Sequence, residues 1–318
     1  MARIVLADDG IEFDGHTPEQ RPLGGSESSV VALMEELAAR GHDVHVLNKC
    51  KAPLDYKGVY WRPIDGTEDG DWPGDVDLYI ANRGDKLLSR MPRARRTVFW
   101  IHNPARYLLK WRYLSKLWRL RPAIVFIGDY HATTYPKWAP DGGRVVIPYG
   151  LPEDFCQAGP LSEPPPPRAV FTSNPLRSLD WLLELWAESI QPRVAGAELQ
   201  VFAGAATYGS VGVDKEAAME KVLDRARALQ GQGVKLRGPV PKARLIQELH
   251  QSRAMLYRGD LNETFCLAVG EAQAMGVPAV VEKLGSVSER VIDGETGFVA
   301  AGAAAFAEAA KRLLTDDD

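Results

Sequence analysis

Cysteine is scarce in this chain of 318 residues, and long apolar stretches are missing. The three cysteines, Cys50, Cys156 and Cys266, are too few and too scattered for a disulfide framework or a zinc site, so we interpret them as buried thiols. No apolar run is long enough to span a bilayer, and the first residues do not have the pattern of a signal peptide. We therefore expect a soluble, cytoplasmic protein.

The chain also lacks any group of histidine, cysteine or carboxylate residues with the spacing of metal ligands. Asp8 and Asp9 follow the opening strand RIVLA directly, and we interpret them as loop acids rather than as a metal site. We therefore expect neither a metal nor another bound cofactor. The composition, with 45% hydrophobic and 25% charged residues, is typical of a globular enzyme, and the length favours about two domains.

One proline-rich segment divides the chain. Residues 158–168 read AGPLSEPPPPR, and four consecutive prolines can continue neither a helix nor a central strand. We therefore predict one domain over residues 1–157 and a second over residues 158–318. Strand-like and helix-like segments alternate in the second domain and, less cleanly, in the first, which favours an α/β fold with doubly wound parallel sheets.

A glycine pair lies between the first predicted strand and the first long predicted helix. Gly24 and Gly25 leave the backbone without side chains where a phosphate could approach the start of that helix. Ser26 or Ser28 would cap the helix and Gly41 would end it. A plain turn is the alternative interpretation of the pair.

The segment NETFCLAVGEAQAMGVP, residues 262–278, places Glu263 and Glu271 on either side of a predicted helix start. Asn262 suits the N-cap, and Gly276 suits a left-handed end. Backbone N–H groups at the start of this helix would attract a phosphate or diphosphate, because they have no partner within the helix. The residues concerned are Thr264, Phe265, Cys266 and Leu267. The alternative is that both glutamates are ordinary solvated acids.

This segment resembles the E-x7-E signature of the retaining glycosyltransferases of family 4, and the Gly-Gly loop and the ending DGETGF are also similar to that family. The resemblance implies the GT-B fold, with two Rossmann-like domains and a cleft between them, the first binding the acceptor and the second a nucleotide-sugar donor. It also implies a hexosyltransferase-type reaction that retains configuration, needs no metal and uses a UDP- or GDP-linked sugar. In that family the first acid contacts the sugar and the second the ribose, so Glu263 would face the sugar and Glu271 the ribose.

The resemblance suggests roles for further residues. His102 closes the strand TVFWIHNP and becomes a candidate for contact with donor or acceptor, although a histidine that only caps a loop fits the pattern as well. Arg177 stands where the family has a lysine that binds the diphosphate, and Ser173 where it has an arginine. Arg258 would supply the positive charge that Ser173 lacks; the alternative is that it is an ordinary surface arginine.

Two departures from the family pattern leave a second function open. One is Ser173, and the other is the pair Gly259 and Asp260, which replaces a Pro-Ser pair ahead of the first acid. A weaker diphosphate site and an altered sugar pocket would suit a non-catalytic protein of the same fold. The alternative is therefore a nucleotide-sugar-binding or interaction protein without turnover.

Acidic residues are nearly absent between residues 83 and 121, where twelve basic residues accompany the single acid Asp85, although the chain has a net charge of −4. Apolar residues form two stripes at helical spacing there, Tyr107, Trp111, Leu114 and Trp118 in one, and Leu109, Tyr113 and Leu120 in the other. If only one stripe packs on the sheet, the other is available to an anionic membrane surface or a lipid-linked acceptor, each basic residue adding roughly 1 kcal/mol. This would make the protein peripheral at the inner face of the membrane. Both stripes could instead be core, and nucleic acid is a disfavoured partner because the chain is acidic overall.

Overall fold

The computed structural model describes residues 1–65, 73–91, 93–157, 159, 163–204 and 215–317. The chain forms two compact units. Met1–Pro18 with Gly25–Gly150 is the first unit, and Glu19–Gly24 with Leu151–Asp318 is the second. The units divide between Gly150 and Leu151, ahead of the division that the sequence predicts after residue 157. Within the predicted linker, residues 158 and 160–162 lie outside the described part.

The first unit is built on a sheet of mostly parallel strands. In chain order they are β1 (Arg3–Asp8), β2 (Asp43–Asn48), β3 (Leu54–Tyr56), β4 (Val59–Pro63), β5 (Leu78–Asn82), β6 (Arg96–Trp100), β7 (Ala123–Phe126) and β8 (Arg144–Val146). Across the sheet the described strands lie in the order β3-β4-β2-β1-β5-β6-β7-β8, and neighbours are parallel except β3 with β4. Its central strands are apolar along nearly their whole length, as expected when both faces of a parallel sheet are covered.

Helices connect these strands. They are α1 (Thr17–Gln20), α2 (Gly25–Ala39), α3 (Trp111–Leu120) and α4 (Asp129–Thr133), with 3₁₀ turns at Leu87–Ser89 and Ala105–Leu109. Helix α2 ends as predicted, because Gly41 has a φ of +82° and the His42 N–H returns to the Leu37 carbonyl at 3.2 Å. It begins at Gly25, ahead of the two serines predicted to cap it.

The second unit contains a fully parallel sheet. Its strands are β9 (Arg168–Phe171), β10 (Glu198–Val201), β11 (Val234–Leu236), β12 (Ala254–Leu256), β13 (Ala279–Glu282) and β14 (Gly297–Ala300). Its helices are α5 (Leu179–Leu185), continued by a π-helical turn at Trp186–Ile190, then α6 (Glu216–Ala228), α7 (Lys242–His250), α8 (Leu267–Ala274) and α9 (Ala303–Thr315). Further 3₁₀ turns lie at Glu153–Phe155, Gln191–Arg193, Gln230–Gln232 and Val287–Arg290. The described strands lie in the order β11-β10-β9-β12-β13-β14, which confirms the predicted doubly wound sheet.

Each unit has its own hydrophobic core. Phe99 and Phe126 are fully buried in the first, and Phe171 and Phe306 in the second. Phe155, although it precedes the predicted linker, packs in the core of the second unit. Cys50 and Cys266 are buried as predicted, whereas Cys156 is exposed. No described helix combines the length and the apolar character that a membrane span requires.

Both sheets reverse their strand order at one point. In the first unit, β2 to β4 lie on one side of β1, and β5 to β8 lie on the other side. In the second unit, β10 and β11 lie on one side of β9, and β12 to β14 lie on the other. The connections above neighbouring strands therefore run in opposite directions there and leave a crevice at the carboxyl ends. A ligand of either unit is expected above those strand ends.

Candidate active site

Glu263 lies in the loop between β12 and α8, and only 6% of the residue is exposed. Its carboxylate accepts hydrogen bonds from the Tyr257 hydroxyl at 2.8 Å and from the Cys266 N–H at 3.2 Å. It also forms an ion pair with Arg177. Three donors on one carboxylate fix its position and compensate its charge.

Two glycines shape this loop. Gly259 has a φ of +105° and Gly285 a φ of +61°, both in the left-handed region that favours glycine. A Cβ on Gly285 would lie 2.3 Å from the carbonyl oxygen of Asp260 and 2.7 Å from that of Glu263, so the two backbones touch. The departure from the family pattern at Gly259 has a similar reason, because a Cβ there would lie 2.7 Å from Val287.

Helix α8 begins later than predicted, at Leu267, and the preceding Cys266 has a φ of +66°. Asn262 is therefore not the N-cap. It lies in a tight turn ahead of the helix, where its N–H donates to the Asp260 carboxylate at 2.8 Å. The Cys266 N–H donates to Glu263, so one of the backbone groups predicted to bind phosphate is already bonded within the protein. Thr264, Phe265 and Cys266 are buried, and Leu267 is half-buried.

The end of α8 agrees with the prediction. Gly276 has a φ of +76°, its N–H donates to the Gln273 carbonyl, and the Val277 N–H reaches the Ala272 carbonyl, both at 2.9 Å. This is the Schellman arrangement that a glycine after a helix makes possible. The helix that carries Glu271 is thereby closed at its carboxyl end.

Glu271 lies inside α8, and only 2% of it is exposed. It forms an ion pair with Lys242, the first residue of α7. The Lys242 ammonium also lies 5.7 Å from the centre of the Phe155 ring. The two glutamates therefore have separate cationic partners, and both are drawn into the protein rather than solvated. Sequence reasoning missed Lys242, which stands at a helix start with no motif around it.

Arg177 lies in the loop after β9, with 36% of its side chain exposed. The Asn174 carbonyl accepts its N–H at 2.9 Å, and the next residue, Ser178, donates to the Gly259 carbonyl at 2.9 Å. This second bond ties the loop after β9 to the loop after β12. The structure thus brings Arg177 and Glu263 together from opposite sides of the switch point.

Tyr257 is a residue of this site that sequence reasoning missed. It directly follows β12, is fully buried, and donates to Glu263. Burial, and then the Glu263 charge, raise the pKa of the phenol, while a hydrogen bond with the Ser173 side chain acts in the opposite direction. Ser173, which replaces the family's arginine, therefore contacts the tyrosine that supports the acid.

Arg258 is directed to another acid. Its Nε donates to the Glu282 carboxylate at 2.8 Å, and its guanidinium lies 4.6 Å from the centre of the Trp181 ring. The residue is thus integrated into the second unit by an ion pair and a cation–π contact. Its predicted role in compensating for Ser173 stays a prediction.

In the first unit, His102 belongs to a buried polar chain. Its Nε2 lies 2.5 Å from the Asn82 amide oxygen, and the Asn82 amide nitrogen donates to Asp8. Its Nδ1 is hydrogen-bonded to the Tyr149 hydroxyl. The carboxyl ends of β1, β5 and β6 supply Asp8, Asn82 and His102, so these side chains meet above three adjacent strands.

Burial lowers the pKa of His102 well below its ordinary value, and the nearby charges of Arg83 and His131 act in the same direction. The Arg83 guanidinium donates to Asp8 at 2.9 Å and to Glu27 at 2.7 Å, and the residue has a φ of +56°. Arg83 is the first of the twelve basic residues between residues 83 and 121, but its guanidinium binds two acids of the first unit. Among the described residues, no three His, Cys, Asp or Glu side chains come together as a metal site.

The glycine pair lies at the start of α2. Gly25 is the first residue of the helix, and its carbonyl accepts the Ser29 hydroxyl at 2.8 Å. Gly24 is buried. The predicted phosphate contact of the pair remains a prediction.

The basic aromatic segment differs from the continuous helix that the two stripes assume. It breaks at Lys110, which has a ψ of +138°, between a 3₁₀ turn and α3. Tyr113 and Leu117 face the core, whereas Trp111 and Trp118 are 79% and 73% exposed. The interpretation that both stripes belong to the core is therefore wrong. Each stripe also contains residues that are at least partly buried, so neither is exposed to solvent along its whole length.

The second unit matches a known family. The family model described as Glycosyl transferases group 1 matches residues 167–316, which run from the start of β9 to the end of α9. Residues 167–316 of the second unit are therefore similar to the glycosyl transferases group 1 domain. The match contains Glu263, Glu271 and Arg177, and it confirms the glycosyltransferase resemblance for this part of the chain.

The D-inositol 3-phosphate glycosyltransferase of Corynebacterium diphtheriae is 33% identical to this chain over 104 residues. The match covers 32% of this chain and 24% of that protein. The chain thus matches about a quarter of the length of this relative.

Two solved structures are similar over the whole chain. Sucrose-phosphate synthase from Thermosynechococcus elongatus has a TM-score of 0.73 at 16% identity, covering 100% of this chain and 90% of that one. Anabaena HepE, solved in complex with UDP and glucose, has a TM-score of 0.70 at 16% identity, covering 99% and 90%. Together with the two parallel sheets, these similarities confirm that the chain has the GT-B fold.

Proposed function

We propose that the protein is a retaining, metal-independent glycosyltransferase that moves a hexosyl unit from a UDP- or GDP-linked sugar to an acceptor hydroxyl. The observation that carries the proposal is the pair of buried carboxylates, Glu263 and Glu271, each held by its own cation within the matched residues 167–316. The fold of Anabaena HepE, a protein solved with UDP and glucose, supports a nucleotide sugar as donor.

Each residue of the site has a role in this proposal. Glu263 accepts hydrogen bonds from the hydroxyls of the donor sugar, and Glu271 from those of the ribose. Arg177 compensates the charge that develops on the diphosphate as the sugar bond breaks. Its ion pair with Glu263 supports this role, because it holds the cation beside the acid that contacts the sugar.

The decisive experiment measures turnover with a panel of UDP-, GDP- and ADP-sugars. The Glu263→Gln variant should lose at least about a hundredfold in kcat, because a preorganised charge at the reacting sugar is removed. Glu271→Gln should mainly raise KM for the donor. Glu308→Gln, which removes an exposed carboxylate paired with Arg193 on the surface, is the matched control and should change neither constant.

The same assay separates turnover from binding alone. A non-catalytic protein would be stabilised by a nucleotide sugar in thermal unfolding, yet would release no nucleotide with any donor. Activity that survives EDTA and a product with the donor's anomeric configuration would support the metal-independent, retaining assignment. An inverted product, or activity that disappears with EDTA and returns with a divalent cation, would contradict it.

For the acceptor, we propose a lipid-linked or saccharide hydroxyl, reached by a cytoplasmic protein at the inner face of the membrane. The exposed Trp111 and Trp118 lie one above the other on α3, seven residues apart in sequence. Exposed basic residues surround them, namely Arg106, Lys110, Arg112, Arg119 and Arg121. Exposed tryptophans among cations suit an anionic lipid surface.

Vesicle sedimentation tests this proposal. The protein should bind vesicles rich in phosphatidylglycerol, release them at high salt, and bind phosphatidylcholine vesicles weakly. The double variant Trp111→Ser, Trp118→Ser should lose most of the binding. Trp138→Ser, which removes a 72% exposed tryptophan outside α3, is the control. Binding that is unchanged in the double variant would contradict the proposed surface.

A further inference from the structure

The polar chain of the first unit has a defined direction of hydrogen bonding. Asp8 is fully buried, and as a carboxylate it only accepts hydrogen bonds. It receives the Gly10 N–H at 2.6 Å, the Arg83 guanidinium at 2.9 Å and the Asn82 amide nitrogen. The opposite orientation of the Asn82 amide would place its oxygen against the carboxylate, so the amide can lie only one way.

This orientation determines which nitrogen of His102 carries the proton. The Asn82 oxygen faces Nε2 at 2.5 Å, and an oxygen acceptor requires an N–H on that side. A neutral imidazole with its proton on Nε2 has a lone pair on Nδ1. The Tyr149 hydroxyl, which is bonded to Nδ1, is therefore the donor of that hydrogen bond.

The groups around His102 keep it neutral. Arg83 and His131 carry or can carry positive charge near the ring, which is also buried, and together these factors lower the pKa of His102. The Trp100 ring is centred 4.8 Å from the imidazole, and the Tyr149 ring, whose hydroxyl is bonded to Nδ1, is centred 5.8 Å from it. The charge of Arg83 is in turn balanced by Asp8 and Glu27.

We propose that Asp8 and Asn82 are positioning residues that hold His102 as the Nε2–H tautomer, so that Tyr149 presents only an accepting oxygen to a substrate hydroxyl. The inference deepens the proposed function, on which it rests, because it names the chemistry of the contact in the first unit. A phenol has one proton, and here His102 takes it. Any further partner of the Tyr149 oxygen must therefore donate.

The chemical class of the ligand follows from this direction. A sugar or polyol hydroxyl can donate to Tyr149, whereas an oxygen of an unprotonated carboxylate or other fully ionised oxyanion cannot. The nearby Arg83 does not reverse this preference, because its charge is compensated by two buried carboxylates. The first unit thus selects a neutral hydroxyl group of the acceptor at this position and disfavours an anionic one.

Nuclear magnetic resonance of the full-length protein, labelled with ¹⁵N-histidine, tests the tautomer directly. At pH 7 the His102 ring, assigned by its loss in His102→Gln, should be neutral with its proton on Nε2. Asn82→Asp places a carboxylate against Nε2–H and should give a doubly protonated ring at the same pH. Asn48→Asp alters another buried amide of the first unit, which donates to the Phe13 carbonyl, and should leave His102 neutral.

The ligand preference is tested by titrating the same sample with methyl α-D-glucopyranoside and with inorganic sulfate, which carries no proton at pH 7. The glucoside should shift the His102 Nδ1 resonance, and sulfate should not. Tyr149→Phe keeps the ring but removes the oxygen, and should weaken the response to the glucoside roughly tenfold, the effect of one lost hydrogen bond. This variant leaves the buried amide intact, so it also serves if Asn82→Asp fails to fold.

Two outcomes would overturn the inference. One is a wild-type His102 ring that is charged or carries its proton on Nδ1, and the other is a response to sulfate at lower concentration than to the glucoside. Neither depends on catalysis. A protein that transfers no sugar from any donor, yet shows the expected His102 tautomer and response to the glucoside, would contradict the proposed function alone.

Discussion

At the scale of single residues, Tyr257 holds the carboxylate of the candidate catalytic acid, Glu263, by a hydrogen bond. Its buried hydroxyl donates to Glu263 at 2.8 Å. We predict that Tyr257→Phe lowers the free energy of unfolding by about 1 kcal/mol, the typical loss for one hydrogen bond. It should also lower kcat, because Glu263 loses one of three donors. Urea denaturation and initial rates measure the two effects.

Tyr79→Phe is the matched control for this change. Tyr79 is also fully buried, and its hydroxyl donates to the Leu87 carbonyl at 2.7 Å in the first unit. The control should lose a similar amount of stability with kcat unchanged. Equal effects of the two variants on kcat would show that Tyr257 acts on stability only.

His131 predicts a loss of stability in mild acid. Burial lowers its pKa from 6.5 to about 4. Between these values the unfolded chain binds the proton and the folded chain does not, so stability falls as the pH drops from 6.5 towards 4. The shift corresponds to at most about 3 kcal/mol. His131→Gln should remove this part of the pH dependence, as measured by urea midpoints between pH 4 and 7, and an unchanged slope would contradict the assignment.

Sequence reasoning found some of the site residues, but not the contacts between them. Glu263, Glu271 and Arg177 could be predicted because they fall in motifs with a known spacing. The chain from Asp8 through Asn82 to His102 joins residues far apart in sequence, and no local pattern indicates it. The usable signal was that each polar residue stands at or just after the end of a strand, although only the sheet order shows that the three strands are neighbours.

At the scale of secondary structure, strands were the most predictable elements. The alternation of strands and helices in the second unit agrees with the sequence, because short apolar runs between polar turns leave little choice. The start of α8 was not predictable, since two signals compete there. Asn262 has the chemistry of an N-cap, but it lies in a turn with Asp260 ahead of the helix, and Cys266 before the first helical residue has a left-handed conformation that a cysteine adopts rarely.

Helix α3 carries a fully buried residue and a largely exposed residue next to each other. Leu117 is fully buried, and we predict that Leu117→Ala destabilises the protein by about 2–5 kcal/mol through the cavity it leaves. Trp118 is the next residue but is 73% exposed, so Trp118→Ala should change stability by less than about 0.5 kcal/mol. Thermal unfolding of the two variants, side by side, measures this contrast. A large loss for Trp118→Ala would mean that its ring is packed in solution.

At the scale of the whole molecule, two separate cores imply two regions of independent stability. Phe99 is fully buried in the first and Phe171 in the second. We predict that Phe99→Ala weakens its own unit by about 3–5 kcal/mol and increases hydrogen exchange in β1, β5 and β6. Exchange in β9 and β12 should stay unchanged, and Phe171→Ala should have the reciprocal effect. Faster exchange in both sheets for either variant would indicate one cooperative unit.

The fold class could be predicted at this scale because alternating strands and helices restrict the chain to a doubly wound sheet. The exact division of the chain could not. A proline run is a plausible boundary, yet Phe155 ahead of it packs into the second core. A single phenylalanine in a loop carries no sign of which core it will join.

The backbone at Gly259 also restricts which residues this position accepts. Proline fixes φ near −65°, whereas this position has a φ of +105° and a Cβ there would lie 2.7 Å from Val287, so the Pro-Ser pair of the resembled family does not fit this loop as it stands. A proline here would require Val287 and the turn through Asp260 to be rebuilt together.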